Sequence, residues 1–260
     1  MSRTILLLPG DGVGPEVTDA ARAGLDVVCG RFGLDIDYRT ADFGGAGIDS
    51  AGDPLPQATL EAARAADAIL LGAVGGPKWD GGETRPEQGL LGLRKALGLY
   101  ANLRPVKVNA GLEALSPLKE ERVKGADVLI VRELTGGLYF GDKTEGEDQA
   151  SDTCAYARDE IARIARTAFE AAQARSGRLT SVDKANVLAT SRLWRRTVEG
   201  LKTDYPDVTV DHMYVDAAAM ALVTDPARFD VILTENLFGD ILSDEAAVIA
   251  GSIGLLGSAS

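Results

Sequence analysis

The stretch from Ile5 to Glu16, Ile-Leu-Leu-Leu-Pro-Gly-Asp-Gly-Val-Gly-Pro-Glu, leads from an apolar run through a glycine-rich turn into a helix. Four consecutive apolar residues bounded by turn residues predict a buried strand. Pro15 favours the first turn of a helix, where its missing N–H would have had no partner. The helical period then places five small or apolar residues on one predicted inward face: Val17, Ala21, Gly24, Leu25 and Val28.

Strand and helix patterns alternate through the rest of the chain. Further strands are predicted at 34–40, 68–72, 100–108, 127–131, 179–182, 208–213 and 230–233, and helices at 60–66, 87–98 and 158–174. Residues 138–157 are predicted to form two extended pieces around a charged tip. Such alternation predicts an α/β fold with a largely parallel sheet. We expect one domain at residues 1–99, rejoined by residues 250–260, and a second at residues 100–249.

The glycine turn does not have the spacing of a dinucleotide-binding Rossmann fold. Counted from Gly10, the pattern G-x-G-x-x-G requires a third glycine where this chain has Pro15. A tight strand-to-helix turn is the simpler interpretation. A second glycine turn, residues 72–77, either allows close approach of a ligand to the backbone or is a plain loop.

Composition excludes several classes of function. The 260 residues carry a net charge of -12 without a Lys/Arg-rich run, which disfavours nucleic acids and anionic membranes as partners. No apolar stretch is long enough to span a bilayer. Cys29 and Cys154 indicate neither a disulfide framework nor a zinc site, so we expect a reducing, cytoplasmic setting. Because His212 is the only histidine, acid–base chemistry must use Lys, Tyr, Asp or Glu.

Two carboxylates lie four residues apart in the stretch Asn236-Leu-Phe-Gly-Asp-Ile-Leu-Ser-Asp-Glu245. In a helix, Asp240 and Asp244 would share one face about one turn apart, where like charges repel. A bound Mg²⁺ or Mn²⁺ would explain the pair, since these ions prefer oxygen ligands. A solvated acidic helix is the alternative for the motif in isolation.

Three arginines and two proton carriers form a second set of candidates. Arg94, Arg104 and Arg132 each follow or lie within an apolar run. The guanidinium fork matches a carboxylate, so three such residues in an acidic protein indicate a pocket for an acidic substrate, although each could form a structural ion pair. Tyr139 lies between glycines and Lys184 follows a strand, and from the residues alone each could be catalytic or structural.

These segments together resemble the 3-isopropylmalate dehydrogenases among the metal-dependent β-decarboxylating dehydrogenases, through essentially the whole chain. The matching segments are 8–16, 90–94, 101–105, 131–141, 183–187 and 236–245. The resemblance implies two α/β domains with a cleft between them rather than a Rossmann fold. It also implies oxidative decarboxylation of 3-isopropylmalate, a step of leucine biosynthesis, with NAD and Mg²⁺ or Mn²⁺ as cofactors.

The resemblance further implies roles for individual residues. Arg94, Arg104 and Arg132 would hold the substrate carboxylates, and Leu90, Leu91 and Val187 would face its isopropyl group. Asp216, Asp240 and Asp244 would bind the metal. Lys184 would be the base and Tyr139 the proton donor. Val74, Gly75, Gly76, Glu83 and Asn186 would contact NAD. A homodimer is implied, in which Lys184 and Asp216 enter the partner's site and the segment 138–156 pairs with its counterpart.

Two expectations concern substrate and completeness. An apolar wall at Leu90 and Leu91 cannot satisfy the extra carboxylate of isocitrate, because a buried carboxylate is costly to desolvate. Sister substrates such as tartrate, malate or homoisocitrate are the alternative. Residues 249–260 are apolar and glycine-rich, and family members continue past Ser260. We therefore expect the C-terminal part to be missing, with a non-catalytic fragment as the rival interpretation.

Overall fold

The chain is described by a computed structural model that covers residues 2–252 and 256–260. Strands and helices alternate along it, which confirms the predicted α/β class. Contacts between residues divide the chain into two compact units, Met1–Gly98 and Leu99–Ser260. Within the described part of the chain, no helix combines the length and the apolar character needed to cross a membrane.

The first unit contains a small parallel sheet. Its strands are β1 (Arg3–Gly10), β2 (Ile36–Thr40) and β3 (Ala68–Ala73), arranged in the order β2-β1-β3. Its helices are α1 (Gly14–Phe32), α2 (Gly45–Ala51), α3 (Gln57–Ala65) and α4 (Pro86–Leu97), with a short 3-10 turn at Pro77–Trp79. The buried core of this unit consists of Leu6, Leu8, Phe43, Ala63 and Leu93.

The predicted inward face of α1 is wrong. Val17 and Val28 are 44% and 45% exposed, whereas Gly14 and Thr18 are the buried residues of this helix. A Cβ added to Gly72 on β3 would lie 2.7 Å from Thr18 Oγ1 and 2.8 Å from the Gly14 carbonyl oxygen. The helix therefore approaches the sheet closely through small residues, so the apolar stripe found by periodicity faces outward.

The second unit contains a mixed five-stranded sheet in the order β4-β5-β10-β8-β9 and a separate two-stranded hairpin, β6-β7. The strands are β4 (Ala101–Lys107), β5 (Asp127–Glu133), β6 (Lys143–Glu145), β7 (Ala150–Asp152), β8 (Arg178–Asp183), β9 (Thr209–Tyr214) and β10 (Val231–Thr234). The α-helices are α5 (Glu120–Val123), α6 (Arg158–Gln173), α7 (Ala189–Leu201), α8 (Val215–Thr224) and α9 (Asn236–Ile249). Short 3-10 helices lie at Glu113–Leu115, Gly137–Tyr139, Lys202–Asp204 and Pro226–Arg228.

Pairing in the larger sheet is parallel except at one edge. Strands β5, β10, β8 and β9 run in the same direction, and β4 joins β5 antiparallel. The prediction of a largely parallel sheet is confirmed. On α6, the helical period places six residues on one face, and all six are buried: Ile161, Ile164, Ala165, Ala168, Phe169 and Ala172. They pack with Trp194 and Val198 of α7, so here the helical period does identify the core face.

Residues 256–260 lie in the second unit rather than rejoining the first domain as expected. The Leu103 N–H donates to the Ala259 carbonyl at 2.8 Å, and the Ala259 N–H donates to the Leu103 carbonyl at 3.0 Å. Leu103 belongs to the edge strand β4, whose outer backbone groups need partners from outside the sheet. Ala250 also packs in the core of this unit. The part of the expectation that concerns residues 253–255 lies outside the described residues.

Candidate active site

Several predicted site residues of the second unit lie at one edge of its sheet. Strands β5, β8 and β10 run parallel, so their carboxyl ends meet at the same edge. Arg132 lies at the end of β5, Lys184 directly follows β8, and α9 begins just after β10. Asp216 lies in the first turn of α8, after β9. This edge is the usual ligand-binding edge of an open parallel α/β sheet.

Arg132 is the centre of a buried polar cluster. Its side chain is 4% exposed and forms an ion pair with Asp240 through Nη1. Its Nε and Nη2 atoms donate to the Asn236 carboxamide oxygen at 3.1 and 2.8 Å. A Cβ added to Gly239 would lie 2.6 Å from Arg132 Cγ, so the side chain lies closely against α9. These contacts hold the guanidinium in one orientation before any ligand binds.

Tyr139 shares Asp240 with Arg132. The Tyr139 hydroxyl donates to Asp240 Oδ2, and the Arg132 guanidinium lies 5.5 Å from the centre of the Tyr139 ring. Burial raises the pKa of Tyr139, and the hydrogen bond to the Asp240 carboxylate raises it further. The phenol therefore keeps its proton at neutral pH, which is the state that a proton donor requires.

The cluster is supported by residues to which the sequence analysis assigned no role. The Asn236 N–H donates to the Tyr156 hydroxyl oxygen at 3.0 Å, and its carboxamide nitrogen donates to the Gly136 carbonyl at 3.3 Å. Glu133, which is fully buried, accepts the N–H groups of Thr135 and Gly136 at 2.8 Å each. Together these bonds shape the turn that leads to Tyr139. Glu133 and Asn236 lie in the matching segments 131–141 and 236–245. A match in sequence does not indicate whether a residue contacts the substrate or supports another residue.

Arg104 faces the same side of the sheet as Arg132. In the β4–β5 register Asn102 lies opposite Arg132, and Arg104 is two residues further along β4. Cross-strand partners and residues two apart share a face. Arg104 Nε donates to Asn102 Oδ1 at 2.8 Å, so Asn102 orients this guanidinium. Two of the three predicted carboxylate-binding arginines therefore lie together in the second unit.

Lys184 and Asp216 form a separate, more exposed pair. Lys184 Nζ lies 2.5 Å from Asp216 Oδ1, with the two side chains 27% and 61% exposed. The hydrogen bond from Lys184 is the main cause of the lowered pKa of Asp216. The preceding residue, Asp183, is buried and accepts Arg195 Nε and Nη2 at 2.8 and 2.9 Å. Arg195 thus holds the end of β8 at Asp183, while the side chain of Lys184, the predicted catalytic lysine, remains partly exposed.

The turn after Lys184 presents Asn186 and Val187 to solvent. Both residues are exposed, and Val187 is 62% exposed. Arg192 Nη1 donates to the carbonyl oxygens of Ala185 and Val187 at 3.3 and 3.1 Å. In the described part of a single chain, Arg192 holds this turn through its backbone carbonyls. The side chains of Asn186 and Val187, both predicted to contact a ligand, are exposed.

The predicted metal ligands are only partly brought together within one chain. Asp240 and Asp244 both lie on α9, so the condition under which the two carboxylates share one helical face is met. Asp240 is held by Arg132 and Tyr139, Asp244 is exposed, and Asp216 is paired with Lys184. Among the described residues, no three or more His, Cys, Asp or Glu side chains are grouped to hold a metal ion.

The remaining predicted substrate residues lie on α4 of the first unit. Leu90, Leu91 and Arg94 are all half-buried. Residues three and four apart on a helix are neighbours, so both leucines adjoin Arg94. Leu90 packs in part against the core of the first unit. Leu91 is outside that core, which leaves it the better placed of the two leucines to meet an apolar ligand.

The predicted nicotinamide-contacting residues lie in and after the loop that follows β3. Val74, Gly75 and Gly76 are half-buried, and Glu83 is exposed. Gly75 has φ +105°, a backbone conformation that a residue with a side chain adopts only with strain, so the position favours glycine. Within the described residues, a glycine at this position leaves the loop backbone uncovered by a side chain.

Asp11 holds the loop after β3 by a hydrogen bond to its backbone. Its carboxylate is 4% exposed and accepts the N–H groups of Gly45, Ala46 and Gly75 at 2.8, 2.8 and 2.9 Å. The glycine turn after β1 therefore supplies an aspartate that joins the start of α2 to the loop after β3. The sequence indicated a turn at this place, but nothing in the spacing identified Asp11 as the residue that connects three segments.

Comparisons with known proteins agree with this arrangement. The family model for isocitrate/isopropylmalate dehydrogenase matches residues 4–260. A 3-isopropylmalate dehydrogenase of Streptococcus thermophilus is 55% identical over 260 residues, covering 100% of this chain and 75% of that protein. One from Oleidesulfovibrio alaskensis is 58% identical over 269 residues, again covering 100% and 75%.

Solved structures show the same fold. The crystal structure of isocitrate dehydrogenase from Methylococcus capsulatus superposes with a TM-score of 0.85 at 37% identity, covering 98% of this chain and 73% of that one. A β-decarboxylating dehydrogenase of Thermococcus kodakarensis gives a TM-score of 0.77 at 38% identity, covering 98% and 71%. The chain belongs to the isocitrate/isopropylmalate dehydrogenase family.

Proposed function

We propose that this chain catalyses the NAD-dependent oxidative decarboxylation of 3-isopropylmalate. The observation that carries the proposal is the Arg132 cluster. A buried guanidinium, oriented by Asn236 and Asp240, lies beside a tyrosine that keeps its proton. A preorganised cation next to a proton donor matches a reaction that loses a carboxylate as CO₂ and then protonates the remaining carbon.

The donor chemistry of α9 fits a hard divalent cation. Asp240 and Asp244 supply carboxylate oxygens one turn apart on one helical face. Both Asp240 oxygens already accept hydrogen bonds, from Arg132 and Tyr139, so the carboxylate is oriented. Asp240 and Asp244 would hold Mg²⁺ or Mn²⁺ together with Asp216, and the preformed loop at Gly75 would receive the nicotinamide end of NAD.

The chain's own residues would divide the chemistry as follows. Bound metal would polarise the substrate oxygens and bound NAD⁺ would accept the hydride. Arg132 and Arg104 grip the substrate carboxylates from one face of the sheet, and Lys184 takes the hydroxyl proton at Nζ. Tyr139 then donates its proton from Oη to the carbon left by decarboxylation. Asp216 holds Lys184 in place by accepting a hydrogen bond from Nζ, which the neutral amine that serves as the base can also donate.

The substrate assignment depends on the α4 surface. Leu91 presents an apolar side chain, and the extra carboxylate of isocitrate would have no partner against it, because the adjoining Arg94 is assigned to a carboxylate that both substrates carry. Steady-state NADH formation, measured with 3-isopropylmalate, isocitrate and malate in the presence of Mg²⁺, tests this assignment. A preference for 3-isopropylmalate supports it. An equal or higher kcat/KM with isocitrate or malate would contradict it.

We further propose that the active unit is a homodimer with shared sites. Within one chain the described carboxylates form no metal-binding group of three, and Lys184 is engaged by Asp216 rather than by the Arg132 cluster. Helices α8 and α9 contact each other and expose Met220, Val223, Ile241 and Val248 by 64%, 41%, 57% and 56%. Exposed apolar side chains on adjacent helices favour association with another protein surface.

Complementation between two inactive variants tests the shared site. We expect Lys184→Met and Asp240→Asn each to be inactive alone. In a mixed dimer, one site would combine the intact Asp240 of one chain with the intact Lys184 of the other. Refolding the two variants together should then restore about a quarter of the parent activity, because half of the dimers are hybrids with one intact site each. No recovery, despite hybrids shown by native mass spectrometry, would place both residues in a single-chain site.

A further inference from the structure

A basic depression lies on the second unit, formed by α7 together with the start of α6 and the turn after Lys184. Its lining residues are Arg158, Ala185, Arg192, Arg195, Arg196 and Glu199, and its volume is about 650 Å³. We call it the arginine depression. None of these residues is among those assigned above to substrate, metal or NAD.

The charge of the arginine depression is opposite to that of the chain. Four of its lining residues are arginines and one, Glu199, is acidic. Asp183 pairs with Arg195 from behind, so four positive and two negative charges leave a local net charge of about +2. The chain as a whole carries -12. Guanidinium groups placed close together repel one another. A bound anion would relieve that repulsion.

The two acidic groups in this count, Glu199 and Asp183, are already engaged. Glu199 Oε1 lies 2.6 Å from His212 Nε2, and Glu199 Oε2 lies 3.3 Å from Lys202 Nζ. The Asp183 carboxylate accepts two bonds from Arg195 and one from the Ala185 N–H. These anions therefore have little capacity left to neutralise the remaining arginines.

Two of the arginines are available to a ligand. Arg158 and Arg196 are exposed, and within the described residues the side chain of neither forms a hydrogen bond or ion pair. Arg158 is also the first residue of α6, where the amino end of the helix dipole adds to the positive potential. Arg192 contributes a third cation, whose Nη1 is held by the carbonyls of Ala185 and Val187. The depression thus offers both fixed and free guanidinium groups.

We propose that the arginine depression binds a small polyanion through its phosphate groups. Guanidinium forks pair with phosphate in two places. A local charge of about +2 is matched by a phosphate or pyrophosphate, whereas a single carboxylate would neutralise only half of it. The ligand is free inorganic pyrophosphate or the phosphate chain of a nucleotide, and both present the same chemistry to the arginines.

Calorimetric titration of the metal-free chain at low ionic strength tests the proposal, with pyrophosphate as the probe. The double variant Arg158→Gln/Arg196→Gln removes the two available guanidiniums. Arg31→Gln/Arg64→Gln is the matched control, because it removes the same charge at exposed positions in the last turns of α1 and α3. The expected result is a loss of about tenfold or more in affinity for the first variant, with less than about twofold for the control.

Further measurements separate the alternatives. Arg104→Gln should leave pyrophosphate affinity unchanged, and a loss there instead would place the anion in the substrate site and overturn the proposal. Equal weakening by both double variants would show non-specific charge attraction and would also overturn it, as would malonate binding as tightly as pyrophosphate. ADP binding more tightly than pyrophosphate supports a nucleotide ligand, and equal binding supports inorganic pyrophosphate.

Discussion

The Arg132 cluster and the Lys184–Asp216 pair both join a cation to a predicted metal ligand, but they differ in burial. Arg132 is 4% exposed and bonds to Asn236 as well as Asp240, while Lys184 and Asp216 are 27% and 61% exposed and bond mainly to each other. Removing one partner of a buried pair leaves an unpaired polar group, whereas an exposed pair contributes little to stability. We therefore expect Arg132 to matter for both folding and function, and Lys184 for function alone.

The largest expected effect is on catalysis at the exposed pair. Lys184→Met should reduce kcat about 1,000-fold, since general acid–base groups typically contribute factors of this size. Its free energy of unfolding should change by less than about 1 kcal/mol, because the pair is exposed. Urea denaturation and NADH formation measure the two quantities. The exposed Lys124→Met is the control. Near-normal turnover of Lys184→Met would remove it as the base.

The second prediction concerns stability at the buried cluster. Arg132→Met should lower the free energy of unfolding by about 3 kcal/mol, because the Asn236 carboxamide oxygen loses both donors and Asp240 loses its ion pair. The exposed Arg166→Met on α6 serves as the control. If Arg132→Met unfolded at the same urea concentration as the parent, burial would not distinguish the two regions.

The third prediction concerns Glu235, whose carboxylate is repelled by Asp183, next to Lys184, and by Glu133, next to Arg132. Burial raises its pKa from 4.5 to about 7, with repulsion from Asp183 and Glu133 adding to the shift. Between these pH values the folded state binds more protons than the unfolded state, so this residue makes stability fall as pH rises through the interval.

The variant Glu235→Gln removes that pH dependence. At pH 8 it should be more stable than the parent by about 3 kcal/mol, and at pH 4 the two should be equal, because a shift of one pKa unit corresponds to about 1.4 kcal/mol. Thermal or urea unfolding across this range, with the exposed Glu121→Gln as control, measures the difference. A constant difference at every pH would show that the carboxylate does not titrate in this interval.

The smallest effect tests how closely α9 packs on Arg132. Gly239→Ala should destabilise by about 1 kcal/mol, since the new Cβ would lie 2.6 Å from Arg132 Cγ. Gly200→Ala on α7, where a Cβ meets nothing within 4 Å, should instead stabilise by about 0.5 kcal/mol. Differential scanning calorimetry measures both. Equal effects of the two substitutions would contradict the close contact.

Sequence patterns predicted most of the elements, because hydrophobic period and local spacing reflect local structure. They failed on α1, where Gly14 and Thr18 rather than the apolar stripe approach β3. They also gave no indication that Asp11 joins three segments or that Asn236 orients Arg132. These outcomes depend on which segments meet in space, and a spacing rule within one segment carries no such information.

The sequence by itself determined the alternating α/β order, the family and the residues that could perform the chemistry, because these follow from periodicity and from ordered motifs. Only the tertiary structure decided which cation faces which carboxylate, which face of α1 is buried, and that residue 259 pairs with β4. The physical reason is that hydrogen-bond partners and burial are set by contacts between residues distant in sequence. Arg132 and Asp240, for example, are 108 positions apart and yet form one ion pair.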